Sequence, residues 1–433
     1  MAVLNFILTQ IFSQTWILFP VVSFIGYLAL GEKMSKAVAG LIKTAVGVLV
    51  MAQGSSLLIK TFTMILAPLN AKFGMTGILL DTYTTMTMTN NALGEFVTWT
   101  SYTMLFAFIL NLVLVALQKY THARTVFLTG NVMLVQTAIA TYIVYRFLHT
   151  GALATIAIAS VACALYWIIF SGILINPVKD ITGVDDFTIG HQQMFGSWCA
   201  YKVGGKLGDP KKSVENLKLP SWLSIFQDNV VASSSVLTIF ILIIMIMLGP
   251  DVVREMAGNT NWIIFAIKIG LTMGVALYIL LTGVRMFVSE IMTSFQGISN
   301  KLLPGSVVAV DCAAIFSFSP NAVLLGFISG AFGMILSTLG LIAFHSPLLI
   351  IPGFIPMFFD NATIGIFANK TGGWKATIIV CFVAGVIEVL GAGLAASLMG
   401  VNAWQGSFDW STIWVAVIYL FKAIGSLFGI MPV

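Results

Sequence analysis

The sequence predicts an all-α integral membrane protein with about eleven transmembrane helices plus two re-entrant hairpins. Hydrophobic residues make up 59% of the 433 positions and charged residues only 9%, and the mean hydropathy is +1.00. A water-soluble domain of this size needs far more charged surface, so most of the exterior must face lipid. Apolar segments of about 20 residues, the length that crosses a bilayer as a helix, recur along the whole chain.

The apolar segments fall on both sides of one long polar stretch, residues 177–231. The predicted spans are 15–30, 37–59, 98–117, 126–147, 151–175, 232–249, 261–284, 321–344, 346–367, 376–399 and 412–431. Residues 1–12 carry apolar side chains at helical spacing and are expected to form a short helix on the membrane surface. Segments 61–95 and 286–320 have polar centres and are predicted to be re-entrant hairpins, because backbone that enters a membrane without crossing it must be buried in protein or line a cavity.

The distribution of lysine and arginine predicts the orientation. If residue 1 lies outside the cell, the cytoplasmic loops hold most of the basic residues, as the positive-inside rule requires. The 177–231 segment is then cytoplasmic, and GKLGDPKKSVENLKLPSW within it is expected to be an exposed loop. The net charge of +5 comes from these loops and predicts no nucleic-acid partner.

Cysteine spacing and motif content argue against a cofactor. The four cysteines are scattered without paired spacing, so neither a disulfide framework nor a metal site is predicted. The chain has no Walker A motif and no GxGxxG after a strand, so no ATP or dinucleotide cofactor is expected. It also lacks HExxH and GxSxG, which leaves little support for an enzyme acting alone.

An internal repeat relates the two halves of the chain. Residues 81–93, DTYTTMTMTNNAL, and 311–323, DCAAIFSFSPNAV, both start with an aspartate that is followed ten positions later by Asn-Ala. Residues 154–162, ATIAIASVA, resemble 376–384, ATIIVCFVA, at a similar offset. Five predicted crossings separate equivalent elements, so the second copy is expected to be inverted. Inverted repeats build a substrate site near the bilayer midplane in many transporters, and we expect the two hairpin tips to meet there.

The two aspartates are the first candidate site residues. A carboxylate at the bilayer centre costs roughly 2.5–3.5 kcal/mol, so Asp81 and Asp311 are expected to face water, a partner or a ligand. The alternative for each is structural bracing of its hairpin. Single hydroxyl residues in such segments more often bond back to the helix backbone. The secondary candidates are Asp81, Asn91, Asn131, Ser317 and Asn321.

A polar motif inside the 177–231 stretch is the second candidate. FTIGHQQMFGSW, residues 187–198, places His191, Gln192 and Gln193 between a glycine and aromatic residues. Amide and imidazole groups offer hydrogen-bond donors and acceptors that suit a polyhydroxylated ligand. The alternative is an ordinary polar loop at the membrane boundary.

Longer motifs make the sequence resemble a known family. GHQQ, KLPSWLSIFQDNVV, GVRMFVSEI, PGSVVAVDCAAIFSFSPNAV and IPGFIPMFFDNATIGIFANKTGGW are similar to segments of the ascorbate-specific enzyme IIC of the bacterial phosphoenolpyruvate-dependent phosphotransferase system. The resemblance covers nearly the whole chain. It implies a homodimer in the bacterial inner membrane, with a V-shaped scaffold domain and a substrate-carrying core domain in each protomer. It also implies uptake of L-ascorbate with phosphorylation by a phosphocysteine on cytosolic IIB, which IIA charges.

The resemblance also implies site residues. The substrate contacts carried over by motif are Gly54, Ser55, Tyr83, His191, Gln192 and Asp311. In the family, the TGxxM segment carries a histidine after TG and, four residues later, a glutamine, and both contact the substrate. Here these positions are Asn131 and Val135, and the adjacent Gln136 is taken as a compensating contact. Gln193 joins the set as the last residue of GHQQ. No residue is assigned as certainly catalytic; Asp311 is a candidate base for phosphoryl transfer, although a binding role is favoured.

The predicted organisation has five segments. Residues 1–60 are a first scaffold segment, 61–200 a first core half, 201–285 a cytoplasmic loop with a second scaffold segment, 286–400 a second core half and 401–433 a C-terminal span. In the expected mechanism the core slides against the scaffold. Basic residues of the cytoplasmic surface are expected to attract the partner, and the alternative is that they are ordinary positive-inside charge: Lys202, Lys206, Lys211 and Lys212. The alternative function is an ion-coupled secondary transporter of a sugar acid, in which Asp81 and Asp311 bind protons or cations.

Overall fold

The computed structural model describes residues 15–73, 76–91, 96–185, 187–217 and 229–430. About 79% of the structure is helical, in agreement with the predicted all-α class. The predicted surface helix over residues 1–12 lies outside the described residues. The helices are α1 Thr15–Ala29, α2 Met34–Phe73, α3 Thr82–Asn91, α4 Phe96–Ala116, α5 Gln118–Thr121, α6 Gly130–Leu148, α7 Ala152–Gly172, α8 Ile175–Thr182, α9 Met194–Leu207, α10 Asn229–Leu248, α11 Pro250–Ala257, α12 Trp262–Leu302, α13 Pro320–Ala343, α14 Asn361–Met399 and α15 Ile413–Leu427.

Seven helical stretches in the described part of the chain are long and apolar enough to cross a membrane. They begin at Met34, Trp99, Gly130, Ala152, Pro320, Pro356 and Asp409. Two shorter apolar helices, Leu237–Leu248 and Trp262–Ala276, accompany them. The chain is therefore a multi-pass membrane protein, and the number eleven stays a prediction.

Several predicted boundaries differ from the structure. Helices α2 and α12, of 40 and 41 residues, continue past the ends predicted at 59 and 284, so the predicted hairpins begin inside long helices. The span predicted over 346–367 is wrong at its start, where residues Leu348–Ile351 form a strand. Helix α14 continues through Gly373, whose φ of 65° produces a kink between the two predicted spans.

Part of the predicted exposed loop is anchored instead. Val214 is fully buried, and the Glu215 carboxylate accepts hydrogen bonds from the Ser319 hydroxyl at 2.9 Å and the Ala322 backbone N–H at 2.9 Å. These groups lie at the start of α13, where helix N–H groups have no partner within the helix. A carboxylate there also interacts favourably with the helix dipole. Lys211 and Lys212 remain exposed, as predicted.

Helices α1, α2, α10 and α12 pack against one another. The Tyr27 hydroxyl on α1 donates to Glu290 on α12 at 2.7 Å, and Lys43 on α2 pairs with Glu290 at 3.1 Å. Small residues allow close approach between α10 and α12, where a Cβ on Gly274 would lie 2.0 Å from the Ser234 hydroxyl. The remaining long helices, α4, α6, α7, α9, α13, α14 and α15, make their main contacts with one another.

Helices α13 and α14 cross at very short distance through glycines. A Cβ on Gly326 would lie 2.4 Å from the Asn361 carbonyl oxygen, and a Cβ on Gly333 would lie 2.2 Å from the Phe382 carbonyl oxygen. Because these obstacles are backbone atoms, a side chain at either glycine forces the helices apart. Interfaces of this kind hold membrane helices together by close packing, since lipid supplies no hydrophobic driving force between helices.

We expect Gly333→Ala to destabilise the protein by about 1–3 kcal/mol through overpacking. Gly340→Ala on the same helix is the matched control, because nothing lies within 4 Å of its Cβ position. That change should be neutral or stabilise by about 0.5–1 kcal/mol, as glycine-to-alanine changes do in open helix positions. Thermal unfolding of both variants in detergent measures the difference. Equal midpoints for the two variants would contradict the close α13–α14 crossing.

Six short strands, which the sequence analysis did not predict, form two parallel sheets in the described chain. They are β1 Thr76–Leu80, β2 Thr125–Phe127, β3 Phe187–Ile189, β4 Val307–Val310, β5 Leu348–Ile351 and β6 Ala403–Trp404. The strand orders are β5-β1-β6 and β2-β4-β3. If β1, β2 and β3 are matched in chain order with β4, β5 and β6, the two sheets are equivalent. Each takes its middle strand from one half of the chain and both outer strands from the other half.

Candidate functional site

The β2-β4-β3 sheet brings the two strongest sequence candidates together. Ile189 pairs with Val310, and the Gly190 backbone N–H donates to the Val310 carbonyl at 2.7 Å. The next residues along these strands are His191 and Asp311. Ligand atoms of His191, Asp311 and the neighbouring Cys312 all lie within 4.8 Å of one another. The sheet thus joins the GHQQ motif of the first half to the polar strip of the second.

Gly190 is required by this close pairing. A Cβ there would lie 2.9 Å from the Phe127 ring and 3.1 Å from the Ala309 carbonyl oxygen. Phe127 belongs to the outer strand β2 and is itself fully buried. The glycine therefore allows the chain to leave β3 and turn His191 towards Asp311.

Hydrogen bonds from Gln193 fix the orientation of His191. The Gln193 Nε2 group donates to the Phe359 carbonyl at 3.2 Å and to the Thr363 hydroxyl at 2.9 Å. Because a carbonyl only accepts, the NH₂ side of the amide must face Phe359, and Oε1 must face His191. His191 Nδ1 lies 2.6 Å from Gln193 Oε1. Nδ1 therefore carries the hydrogen and donates the hydrogen bond to this oxygen. Nε2 of His191 is then left as a hydrogen-bond acceptor.

The surroundings of His191 favour the neutral ring. Burial lowers the pKa of His191 below its usual value, and the opposing effect of nearby Asp311 is smaller. The imidazole lies against the Phe359 ring, with the ring centroids 6.2 Å apart. A neutral ring with one fixed donor and one free acceptor is suited to binding hydroxyl groups.

Gln136 and Gln192 occupy different positions around the histidine. Gln136 Nε2 on α6 donates to the His191 carbonyl at 3.3 Å, and the Trp167 indole N–H donates to Gln136 Oε1. Gln136 therefore supports the motif. Gln192 is buried, and its Oε1 has no hydrogen-bond partner among the described residues. Of the three predicted glutamines, Gln192 alone leaves a side-chain oxygen of this kind for a ligand.

Asp409 holds the start of helix α9, directly after GHQQ. Its carboxylate accepts from the Tyr166 hydroxyl at 2.6 Å and from the backbone N–H groups of Phe195 and Gly196 at 3.0 and 3.2 Å. Its own N–H donates to the Gln192 carbonyl at 3.2 Å. An aspartate bound to free N–H groups stabilises a helix N-terminus. The segment after β6 thus fixes the position of the motif.

Asp311 keeps one carboxylate oxygen available. Its Oδ1 accepts from the Ala313 backbone N–H at 2.9 Å and caps the short 3₁₀ helix Cys312–Phe318. None of the ion pairs within the described ranges includes Asp311. Asp311 is only partly buried, so its second oxygen can take part in binding.

Asp81 occupies the equivalent position in the other sheet. It follows the middle strand β1 as Asp311 follows β4, and it is buried. Its carbonyl accepts from the backbone N–H and the hydroxyl of Thr85, as the carbonyl of the residue before a helix accepts the first bond within that helix. The structure therefore places the two aspartates after the middle strands of different sheets.

The remaining predicted residues are less informative. Gly54 is buried in α2, and the side chains of Ser55, Tyr83 and Asn91 lie outside the described residues. Asn131 is buried on α6, and its Oδ1 has no partner among the described groups. Ser317 is exposed in the 3₁₀ helix, and the Asn321 N–H donates to Glu215 at 3.3 Å.

Sequence reasoning missed several residues around His191. Cys312, Phe359 and Thr363 contact the motif or lie beside it, yet neither their residue type nor their spacing marks them in the sequence. Three fully buried carboxylates were also missed: Asp360, Glu388 and Asp409. Asp360 and Glu388 lie within apolar membrane segments, where an ionisable residue is by itself a sign of a special role.

A buried polar site between the helices of a multi-pass membrane protein is the arrangement expected of a membrane permease. Residues 10–411 match the family described as EIIC-GAT, the PTS system sugar-specific permease component, and the chain belongs to this family. It is also similar to the ascorbate-specific PTS system EIIC component of Mycoplasma pneumoniae (strain ATCC 29342 / M129 / Subtype 1), with 31% identity over 456 residues that cover 93% of this chain and 68% of that protein. The chain is thus a transport subunit for PTS sugar uptake, and its IIA and IIB partners carry out the phosphorylation.

Proposed function

We propose that the chain carries L-ascorbate across the bacterial inner membrane and presents it to the IIB phosphocysteine for phosphorylation. The observation that carries this proposal is the convergence of His191 and Asp311, from opposite halves of the chain, within 4.8 Å. A neutral imidazole acceptor, the free Gln192 oxygen and a carboxylate together suit a compact solute with several hydroxyls. The similarity to the ascorbate-specific component of Mycoplasma pneumoniae supports ascorbate as that solute.

The exchange of strands between the two sheets supports the repeat. Equivalent elements of the two halves occupy equivalent places in the sheets, as two copies related by an inverting axis would. In the proposed elevator mechanism, the helices that pack around these sheets move as a core against α1, α2, α10 and α12. Helices α1, α2, α10 and α12 then form the scaffold, and two protomers join through it as a homodimer. The N-terminus lies outside the cell.

Helix α9 leads from the site to a basic surface. It has 14 residues and therefore spans about 21 Å. It starts at the residue after Gln193, and Lys202, Lys206, Lys211 and Lys212 are exposed on its later turns and just beyond. Opposite charge raises association rates, so this surface suits a phosphorylated IIB protein. Phosphorylation traps the product inside the cell. The Asp311 carboxylate repels the negative phosphate group, so the phosphorylated product cannot bind the site again.

Uptake into proteoliposomes tests the proposal. With IIA, IIB and phosphoenolpyruvate-driven phosphotransfer inside the vesicles, labelled ascorbate should accumulate as its phosphate. The matched control contains IIB in which serine replaces the phosphorylated cysteine, and it should show no accumulation. Accumulation driven by a proton or sodium gradient alone would overturn the proposal in favour of the ion-coupled alternative, in which Asp81 and Asp311 bind the ion.

A further inference from the structure

His191, Asp311 and Cys312 present three different ligand types to one point. The imidazole nitrogen, carboxylate oxygen and thiol sulfur lie within 4.8 Å of one another. The pairing of β3 with β4 fixes the two chain segments that carry them. Zinc ligands lie about 2.0–2.3 Å from the ion. Small side-chain rotations therefore bring these three atoms close enough to bind one ion.

Each of the three groups has a ligand atom to spare. Gln193 Oε1 accepts a hydrogen bond from His191 Nδ1–H, which leaves Nε2 with a free electron pair. Asp311 uses Oδ1 for the Ala313 N–H and keeps its second oxygen. Cys312 is buried and forms no disulfide, and its sulfur, which lies beside the Gln193 and Thr363 side chains, has further electron pairs.

We infer that His191 Nε2, the Asp311 carboxylate and Cys312 Sγ form a reversible binding site for a Zn²⁺-type divalent cation. The mixed nitrogen, oxygen and sulfur set matches zinc, whereas magnesium and calcium require mostly oxygen ligands. Three protein ligands leave the fourth tetrahedral position open to water.

The groups behind His191 resemble the outer shell of zinc sites. A histidine that binds a metal through one nitrogen usually donates its other N–H to an oxygen that holds the ring in place. Gln193 Oε1 supplies that oxygen, and the bonds of its Nε2 to Phe359 and Thr363 hold the amide itself. The Thr363 hydroxyl donates to the Phe359 carbonyl at 2.6 Å, so its oxygen is oriented to accept from Gln193.

Zinc binding converts the Cys312 thiol to a thiolate and releases one proton to solvent. Burial raises the pKa of this thiol well above its usual value, so the free site holds the protonated form. No oxidant or reductant takes part, because zinc has no redox chemistry.

Bound zinc excludes the transported solute. His191 and Asp311 are also the proposed ascorbate contacts, and one Nε2 electron pair cannot serve both ligands. Zn²⁺ therefore inhibits uptake competitively, and this consequence rests on the proposed function. Binding of the metal alone does not depend on it.

The experiment uses the full-length protein in detergent, treated with chelator and freed of any polyhistidine tag. Co²⁺ replaces zinc as a probe, because a cobalt–thiolate bond gives a charge-transfer band in the near ultraviolet. We expect the band in the wild type, its loss in Cys312→Ser and its retention in Cys199→Ser, the matched control. Zn²⁺ should displace Co²⁺, and Cys312→Ser should lower zinc affinity by more than the roughly 10–100-fold that loss of an outer-shell partner causes.

A second variant guards against a folding defect in Cys312→Ser. Asp311→Asn keeps an oxygen for the Ala313 N–H, and it should weaken zinc binding while the thermal unfolding midpoint stays near that of the wild type. A band that persists in Cys312→Ser, or zinc affinity unchanged in both variants, would overturn the inferred site. Zinc binding with no effect on ascorbate uptake would leave the metal site standing and count against the ascorbate assignment of His191.

Discussion

His191→Ala is expected to weaken ascorbate binding roughly 5- to 150-fold. The substitution removes the Nε2 acceptor that Gln193 leaves free in the site. Nε2 accepts from an ascorbate hydroxyl, and its removal leaves that donor buried without a partner, which costs about 1–3 kcal/mol. Each 1.4 kcal/mol changes the dissociation constant about tenfold. Calorimetric titration of the detergent-solubilised protein measures the change, with other sugar acids as comparison ligands.

Two variants separate direct contact from structural support. His191→Asn places an amide N–H near the former Nδ1 position, where it can still donate to Gln193 Oε1, but it has no counterpart of Nε2. It should bind as weakly as the alanine variant if Nε2 contacts the substrate. His122→Asn is the surface control, because His122 is exposed with a φ of 56°, a conformation that asparagine tolerates. Equal affinity of the wild type and His191→Ala would remove His191 from the site.

The sequence predicts the helices well because lipid-facing helices need long apolar runs. Helix α13, observed over Pro320–Ala343, was predicted over 321–344, and α7, observed over Ala152–Gly172, over 151–175. The prediction of helices is weaker where an apolar run does not cross the membrane as a helix. Residues Leu348–Ile351 are as apolar as a span, yet they form a strand that pairs with β1. A short apolar run does not distinguish a strand from a buried helix.

The sheets could not be predicted from local patterns. Strands of two to five residues give too little alternation to recognise, and their partners lie more than 100 positions away in the chain; Thr76, for example, pairs with Leu348. This long-range pairing is nevertheless what joins GHQQ to Asp311. Both segments are identifiable by their polar chemistry. The hairpin tip around Asp81 was expected at the same point, whereas Asp81 follows β1 in the other sheet.

The roles of the glutamines show a second limit of sequence reasoning. GHQQ offers two adjacent amides of equal chemistry, and both were predicted to bind substrate. In the structure, Gln193 bonds to His191, Phe359 and Thr363, whereas Gln192 Oε1 has no such partner among the described groups. Which amide supports and which one is free depends on residues far away in the chain. Composition and spacing carry no information about that choice.

Asp311→Asn should separate substrate binding from phosphoryl transfer. The amide keeps an oxygen for the Ala313 N–H, so the 3₁₀ helix Cys312–Phe318 retains its cap. If Asp311 binds substrate hydroxyls, loss of its charge weakens ascorbate binding by about 1.5–3 kcal/mol, or roughly 10- to 150-fold. Phosphorylation by IIB should then recover when ascorbate is saturating. Titration of ascorbate in a coupled phosphorylation assay separates the change in KM from the change in kcat.

A lower kcat with unchanged ascorbate affinity in Asp311→Asn would identify Asp311 as a base. A general base contributes about 10²–10⁴-fold to the rate of the chemical step, so Asp311→Asn would then lower kcat by that factor and leave the dissociation constant of ascorbate nearly unchanged. We expect the binding pattern, because phosphoryl transfer depends mainly on positioning and charge stabilisation. Asp81→Asn, at the equivalent position of the other sheet, is the matched control. It removes a carboxylate in the same local setting, after a middle strand, and ascorbate affinity should change much less than in Asp311→Asn.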